Sequence, residues 1–190
     1  MSSFINKFSK NLTRPLFAVM FMALLAGCAS VDSDPGSRTL GSVIDDQSIE
    51  ATVAANIRKV DPALQGANVV VTSYNGTVLL SGQAPNEDLR AQAAHAAASV
   101  KNVKRVYNEL AVGPNAELAV RSSDTLLTAK VKSRLLAAKG IKDSRVKVVT
   151  ENGSVFLMGL VTQAEGDIAG KITQETSGVQ RVVRIFEYVD

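Results

Sequence analysis

The sequence predicts an α+β protein made of two tandem copies of one αββαβ unit. Each copy is expected to be a three-stranded mixed sheet packed on two helices, placed after a cleaved signal peptide and a flexible tether. Three observations carry this. NGTVLLSGQA at 75–84 returns as NGSVFLMGLV at 152–161, inside a longer match of 69–84 with 146–161 that sets Gly76 on Gly153 and Gly82 on Gly159. Upstream, Asp46, Ile49, Val53 and Ile57 align with Asp124, Leu127, Val131 and Leu135; downstream, Val103, Lys104, Arg105 and Val106 align with Val179, Gln180, Arg181 and Val182. Three blocks in one order, each slipping by a single residue in the loops, are the mark of an internal duplication.

Residues 1–27 carry Lys7, Lys10 and Arg14, no acidic residue, and the apolar run LFAVMFMALLAG. That run is shorter than the roughly 20 residues a membrane-spanning helix needs and fits the apolar region of a secretory signal peptide. It ends in LAGC at 25–28, which closes on Cys28, the only cysteine of the chain. This resembles the lipobox of bacterial lipoproteins, in which the thiol takes a diacylglyceryl group and cleavage leaves the modified cysteine first. Each buried methylene contributes about 0.8 kcal/mol and two lipid signals already give stable attachment. Position 29 is Ala rather than the Asp that favours inner-membrane retention. The expected localisation is therefore the outer membrane, lipid-anchored, on its periplasmic face.

Signal removal also settles the charge. The whole chain has a formal charge of +3 and a pI near 9.1, but without Lys7, Lys10 and Arg14 it keeps 18 basic residues against 18 acidic ones. The mature protein is neutral, and no nucleic-acid partner is expected. Residues 28–44, rich in Ser, Gly and Asp, have no helical or strand periodicity and read as the lipidated cysteine and its tether.

The first domain is assigned to 45–112, a linker to 113–122 and the second domain to 123–190. Each copy opens with apolar residues four apart behind an Asp that can cap a helix. Two β-branched runs around Asn-Gly then predict a type I′ hairpin, because both residues tolerate positive φ. A helix follows (86–100 and 163–177), then a strand (103–112 and 179–189) that needs a crossover and so pairs in parallel.

The copies differ in charge. Asp45, Asp46, Glu50 and Asp61 outweigh Arg58 and Lys59 over 43–70. Over 121–147, Arg121, Lys130, Lys132, Arg134, Lys139, Lys142, Arg145 and Lys147 outweigh Asp124 and Asp143. At about 100° per residue, Leu127, Val131 and Leu135 form a core stripe. Leu126, Ala129, Ser133 and Leu136 fall on the opposite side, flanked by Lys130 and Lys132. The corresponding positions of the first copy, Ser48, Ala51, Ala55 and Arg58, hold no large apolar residue. An apolar strip edged by lysines fits the headgroup boundary of an anionic phospholipid membrane. It also fits packing against the first domain, or a merely solvated face.

The element order, the hairpin glycines, TENGSVFLMGLVT at 150–162 and VYNE at 106–109 resemble the BON domain, a module of bacterial periplasmic and membrane-associated proteins, over both copies. With the lipobox and tether, the arrangement resembles outer-membrane lipoproteins with two such domains. That resemblance implies binding of anionic phospholipid through the first helix of the second domain, here 124–139, and a part in outer-membrane integrity at the division site. The contact residues it implies are Leu126, Lys130, Ser133, Arg134 and Leu136. Related proteins can carry Trp where this chain has Leu126, and Trp is the better interfacial anchor. The alternative is a non-catalytic adaptor that joins envelope protein partners, with lipid only as its anchor.

Catalysis has little to stand on. The only histidine, His95, lies in an Ala-rich helix, and neither a metal-ligand cluster, a nucleophile elbow, GxGxxG nor a Walker motif occurs. No catalytic residue, metal or cofactor is expected.

Overall fold

Two sheets set back to back, each with helices on its outer face, organise the chain. The computed structural model describes residues 38–142 and 145–189. The signal segment, Cys28 and the tether up to residue 37 lie outside the described residues. Helix α1 (Leu40–Val60) and a one-turn α2 (Pro62–Gln65) lead into strands β1 (Val69–Tyr74) and β2 (Thr77–Ala84). Helix α3 (Glu87–Ala98) returns the chain to β3 (Arg105–Asn108) and β4 (Ala111–Val112). The second copy is α4 (Leu118–Leu136), β5 (Val146–Glu151), β6 (Ser154–Val161), α5 (Gln163–Gln174) and β7 (Arg181–Tyr188).

Each sheet is mixed, as expected. β1 pairs antiparallel and β3 parallel with the central β2, and β5 and β7 flank β6 in the same way. The last strand of the first copy is interrupted but keeps its register: Leu80 faces Asn108, and Gln83 faces Ala111 of β4. In the second copy β7 runs unbroken along all of β6. The hairpin turns have the positive φ that type I′ requires, at Asn75 (52°), Gly76 (77°), Asn152 (46°) and Gly153 (71°). The second glycine of each hairpin answers a close approach. A Cβ on Gly82 would collide with the Asn68 carbonyl, and one on Gly159 with the Arg145 carbonyl.

Both first helices start earlier than the sequence reading placed them. Thr39 caps α1, its Oγ1 accepting from the Ser42 amide at 3.1 Å, so residues 40–44, assigned to the tether, are helical. Helix α4 begins at Leu118, inside the segment assigned to the linker, and ends at Leu136, short of Lys139. The reason is the role of the two aspartates. Neither caps its helix: each sits within it and reaches across to the hairpin turn. Asp46 accepts from the amides of Asn75 (2.8 Å) and Gly76 (2.9 Å) and the Ser73 hydroxyl (2.7 Å). Asp124 accepts from the amides of Asn152 (2.7 Å) and Gly153 (2.9 Å).

The remaining linker is fastened to the first domain. Asn115 accepts from the Asn68 amide at 2.7 Å and donates to the Gly66 carbonyl at 2.8 Å, and the Ala116 amide donates to Gln83 at 2.9 Å.

Three apolar layers follow from strand alternation. Val78 and Leu80 face α1 and α3 with Ile49, Val53, Ile57 and Leu89. Val155 and Leu157 face α4 and α5 with Leu127, Val131, Leu135 and Ala169. The opposite faces of the two sheets meet each other through Tyr74, Leu79, Phe156, Met158, Leu160 and Ile185. Burying such side chains contributes about 1.5–3 kcal/mol each. Polar clasps ring this middle layer: Tyr74 Oη donates to the Arg145 carbonyl (2.9 Å), Gln83 to Glu151 (2.7 Å) and Asn75 to Glu187 (2.9 Å). Lys147 and Arg181 pair with Glu50 (2.9 Å) and Glu109 (2.8 Å). The order of layers is therefore α1/α3, first sheet, second sheet, α4/α5.

Candidate membrane-contact surface

Helix α4 has two unlike faces. Asp124, Leu127, Val131 and Leu135 are buried against the second sheet. At about 100° per residue, Leu118, Ser122, Leu126, Ala129, Ser133 and Leu136 share the opposite side, all exposed. Leu126 and Leu136 remain 73% and 67% exposed, and Leu118 75%. Packing of Leu126 and Leu136 against the first domain is overturned, because the domains join through their sheets and leave the helices outermost.

Leu118 was missed by sequence reasoning, which gave residues 113–122 to a linker. The signal was present: Leu118, Ser122 and Leu126 continue the stripe backwards at intervals of four.

The basic residues divide into surface and internal groups. Lys132 and Arg121 are exposed on one flank of the stripe. Lys130 lies on the other flank, exposed, with Nζ donating to the Ser177 carbonyl at 2.9 Å. Arg134 turns away from the stripe. It is half-buried and donates to the Ile172 carbonyl (3.2 Å) and Thr176 Oγ1 (2.8 Å), bracing α4 against the last turn of α5 where carbonyls lack helix partners. Arg145 is buried in an ion pair with Glu165 at 2.9 Å, and Lys147 bridges to Glu50 of the first domain. The positive balance over 121–147 is thus partly structural. Ser133 lies on the stripe beside Leu126 and Leu136, as the sequence placed it.

Two internal carboxylates, Asp46 and Glu165, are held ionised by their partners. Burial works against charge on Asp46, but the Gly76 amide, the Ser73 hydroxyl, the Asn75 amide and Arg38 outweigh it and hold its pKa below the ordinary aspartate value. Burial likewise opposes charge on Glu165, and the Thr162 amide and hydroxyl with Arg145 hold its pKa down. Burial pushes the Tyr74 hydroxyl up.

His95 is exposed on α3. Among the described residues no group of three or more His, Cys, Asp or Glu side chains is placed to hold a metal ion, and no helix is long and apolar enough to cross a membrane.

Two αββαβ modules joined sheet to sheet, the second presenting an apolar helix face to solvent, define a tandem-module class. The chain belongs to the BON domain family, whose model matches residues 45–114 and 123–190. It is 42% identical to the outer membrane lipoprotein DolP of Haemophilus influenzae over 87% of this chain and 84% of that protein. It is 38% identical to a 21 kDa hemolysin of Actinobacillus pleuropneumoniae (80% of this chain, 78% of that one). It is 31% identical to osmotically-inducible protein Y of Escherichia coli (78% and 75%). The chain is an outer-membrane lipoprotein with two BON domains.

Proposed function

We propose that the protein is anchored through a lipid on Cys28 in the periplasmic leaflet of the outer membrane and reads anionic phospholipid through the outward face of α4, supporting outer-membrane integrity at the division site. The observation that carries this reading is the exposure of Leu126 and Leu136 on one helix face, at 73% and 67%. Leucine side chains entering the headgroup boundary contribute about 1.5–3 kcal/mol each when fully buried. Basic residues near an anionic surface add about 1 kcal/mol each. Lys130 and Lys132 flank the leucines, Ser133 allows close approach between them, and Arg134 acts by holding the helix in place. The first domain serves as scaffold.

Co-sedimentation of the soluble chain from Ala29 onward tests this. Pelleting with anionic vesicles, little with zwitterionic ones, and weakening with salt is the expected result. Leu126→Glu and Leu136→Glu should each lower the bound fraction on anionic vesicles about tenfold, equivalent to about 1.4 kcal/mol, while leaving the thermal unfolding midpoint unchanged. Undiminished pelleting of both variants removes the site.

A further inference from the structure

Helix α1 has an apolar end of its own. Its outward stripe, Leu40, Ile44, Ser48, Ala51, Ala55 and Arg58, follows the same spacing as the stripe of α4, but the large apolar residues are confined to the first two turns. Leu40 is 84% exposed and Ile44 65%. Their own stripe carries no basic residue before Arg58; Lys101 and Lys104 stand off its flank, across clefts they share with Asp45. Arg38 is committed to Asp46 at 3.3 Å and to the face of the Tyr74 ring at 4.0 Å, and exposed Asp45 follows Ile44. The next basic residues of the helix, Arg58 and Lys59, lie in its last turn, about 20 Å further along at 1.5 Å per residue.

Position along the chain supplies the occupant. Leu40 stands twelve residues after Cys28, a length of chain that spans about 40 Å at most. A lipid on Cys28 therefore keeps the start of α1 close to one bilayer at high effective concentration, whatever the headgroup charge.

We infer that Leu40 and Ile44 form a second membrane contact, indifferent to headgroup charge, that seats the first turns of α1 in the interface of the bilayer holding Cys28. This rests on Cys28 as the anchor. Helices α1 and α4 occupy opposite outer layers, so one flat bilayer cannot take both faces together. The anchored protein has two seated orientations, and anionic lipid shifts the population from α1-down to α4-down. The second orientation lifts α1 about 30 Å from the surface, at about 10 Å per layer, a height that twelve residues can still span.

The test uses the mature chain coupled through its Cys28 thiol to a maleimide lipid. The chain contains no tryptophan, so a single introduced indole reports depth by quenching from brominated phosphatidylcholine. On phosphatidylcholine alone, Ile44→Trp should be quenched several-fold more than Ala55→Trp on the same face. Added phosphatidylglycerol should reduce quenching of Ile44→Trp and raise that of Leu126→Trp. Adding Leu40→Ser to Ile44→Trp should weaken quenching; unchanged quenching would mean the indole is its own anchor and overturns the inference. Equal quenching of Ile44→Trp and Ala55→Trp, or none in either, also overturns it. So does a blue-shifted Ile44→Trp emission without vesicles that tracks dimer formation, since a second copy then covers the site. Quenching of Ile44→Trp with none of Leu126→Trp on either lipid upholds this contact and removes the one on α4.

Discussion

Inside, the two domains repeat the core stripe and the clamp on the hairpin turn; outside, they diverge. Asp46 and Asp124 clamp their hairpins through the same pair of turn amides. Val53 and Val131 fill the same fully buried position. On the outer faces, α4 carries leucines along its whole length and α1 only at its start. Burial fixes residues that must satisfy the sheet and the hairpin, whereas an outward helix position is free to change without cost to the fold. A duplicated module can thus acquire two surfaces on one frame.

Charging one core and then the other has the largest expected effect on the two domains. Val53→Glu and Val131→Glu each place a carboxylate at a fully buried site without a partner, a change that costs several kcal/mol. Loss of the cooperative thermal transition is expected for both, measured by circular dichroism. A folded Val131→Glu variant would show that the core stripe of α4 is misassigned, and with it the outward stripe.

Next in size are the clamps. Asp46→Ala leaves the Gly76 amide and the Ser73 hydroxyl buried without a partner and should cost about 2–3 kcal/mol; Asp124→Ala should cost a similar amount through the Gly153 amide. The pH dependence has a definite sign. The folded pKa of Asp46 is lowered, so its stabilisation is present above the unfolded value near 3.8 and is lost as pH falls through the folded value. Glu165 acts in the same direction in the second domain, from its ordinary value near 4.5. Urea unfolding at stepped pH should show stability falling on the acid side, with a shallower fall in Asp46→Asn. An identical acid limb in that variant would remove Asp46 from the account.

Much of this frame was legible because the duplication let each copy check the other. The Asn-Gly turns, the parallel return strand and the core stripe all rest on local periodicity that burial enforces. The starts of α1 and α4 were not legible, because Asp46 and Asp124 resemble caps and their true partners, the turn amides, are about 30 residues away in sequence. For the same reason Leu118, Leu40 and Ile44 were left in segments assigned as linker and tether. The sheet-to-sheet docking was hidden as well. Phe156, Met158 and Leu160 alternate with Val155 and Leu157 in one apolar run, which marks a strand buried on both faces without naming what covers the second face. Arg134 came to the lipid contact through the family resemblance, and only its bonds to Ile172 and Thr176 reveal a brace.

The smallest effect is expected where the two domains touch through charge. Lys147 and Glu50 are about one-third exposed, and Glu50 also accepts from the Ser73 amide at 2.8 Å. Water screens such a pair, so Lys147→Ala should cost less than about 1 kcal/mol and its effect should shrink with salt. Unfolding should remain a single transition, because Tyr74, Leu79, Phe156 and Met158 hold the sheets together by apolar burial that salt does not weaken. If Lys147→Ala instead splits the transition in two, the middle layer is too weak to join the domains. The opposite placement of α1 and α4 would then be one orientation among several, and the two membrane contacts would no longer compete for a single bilayer.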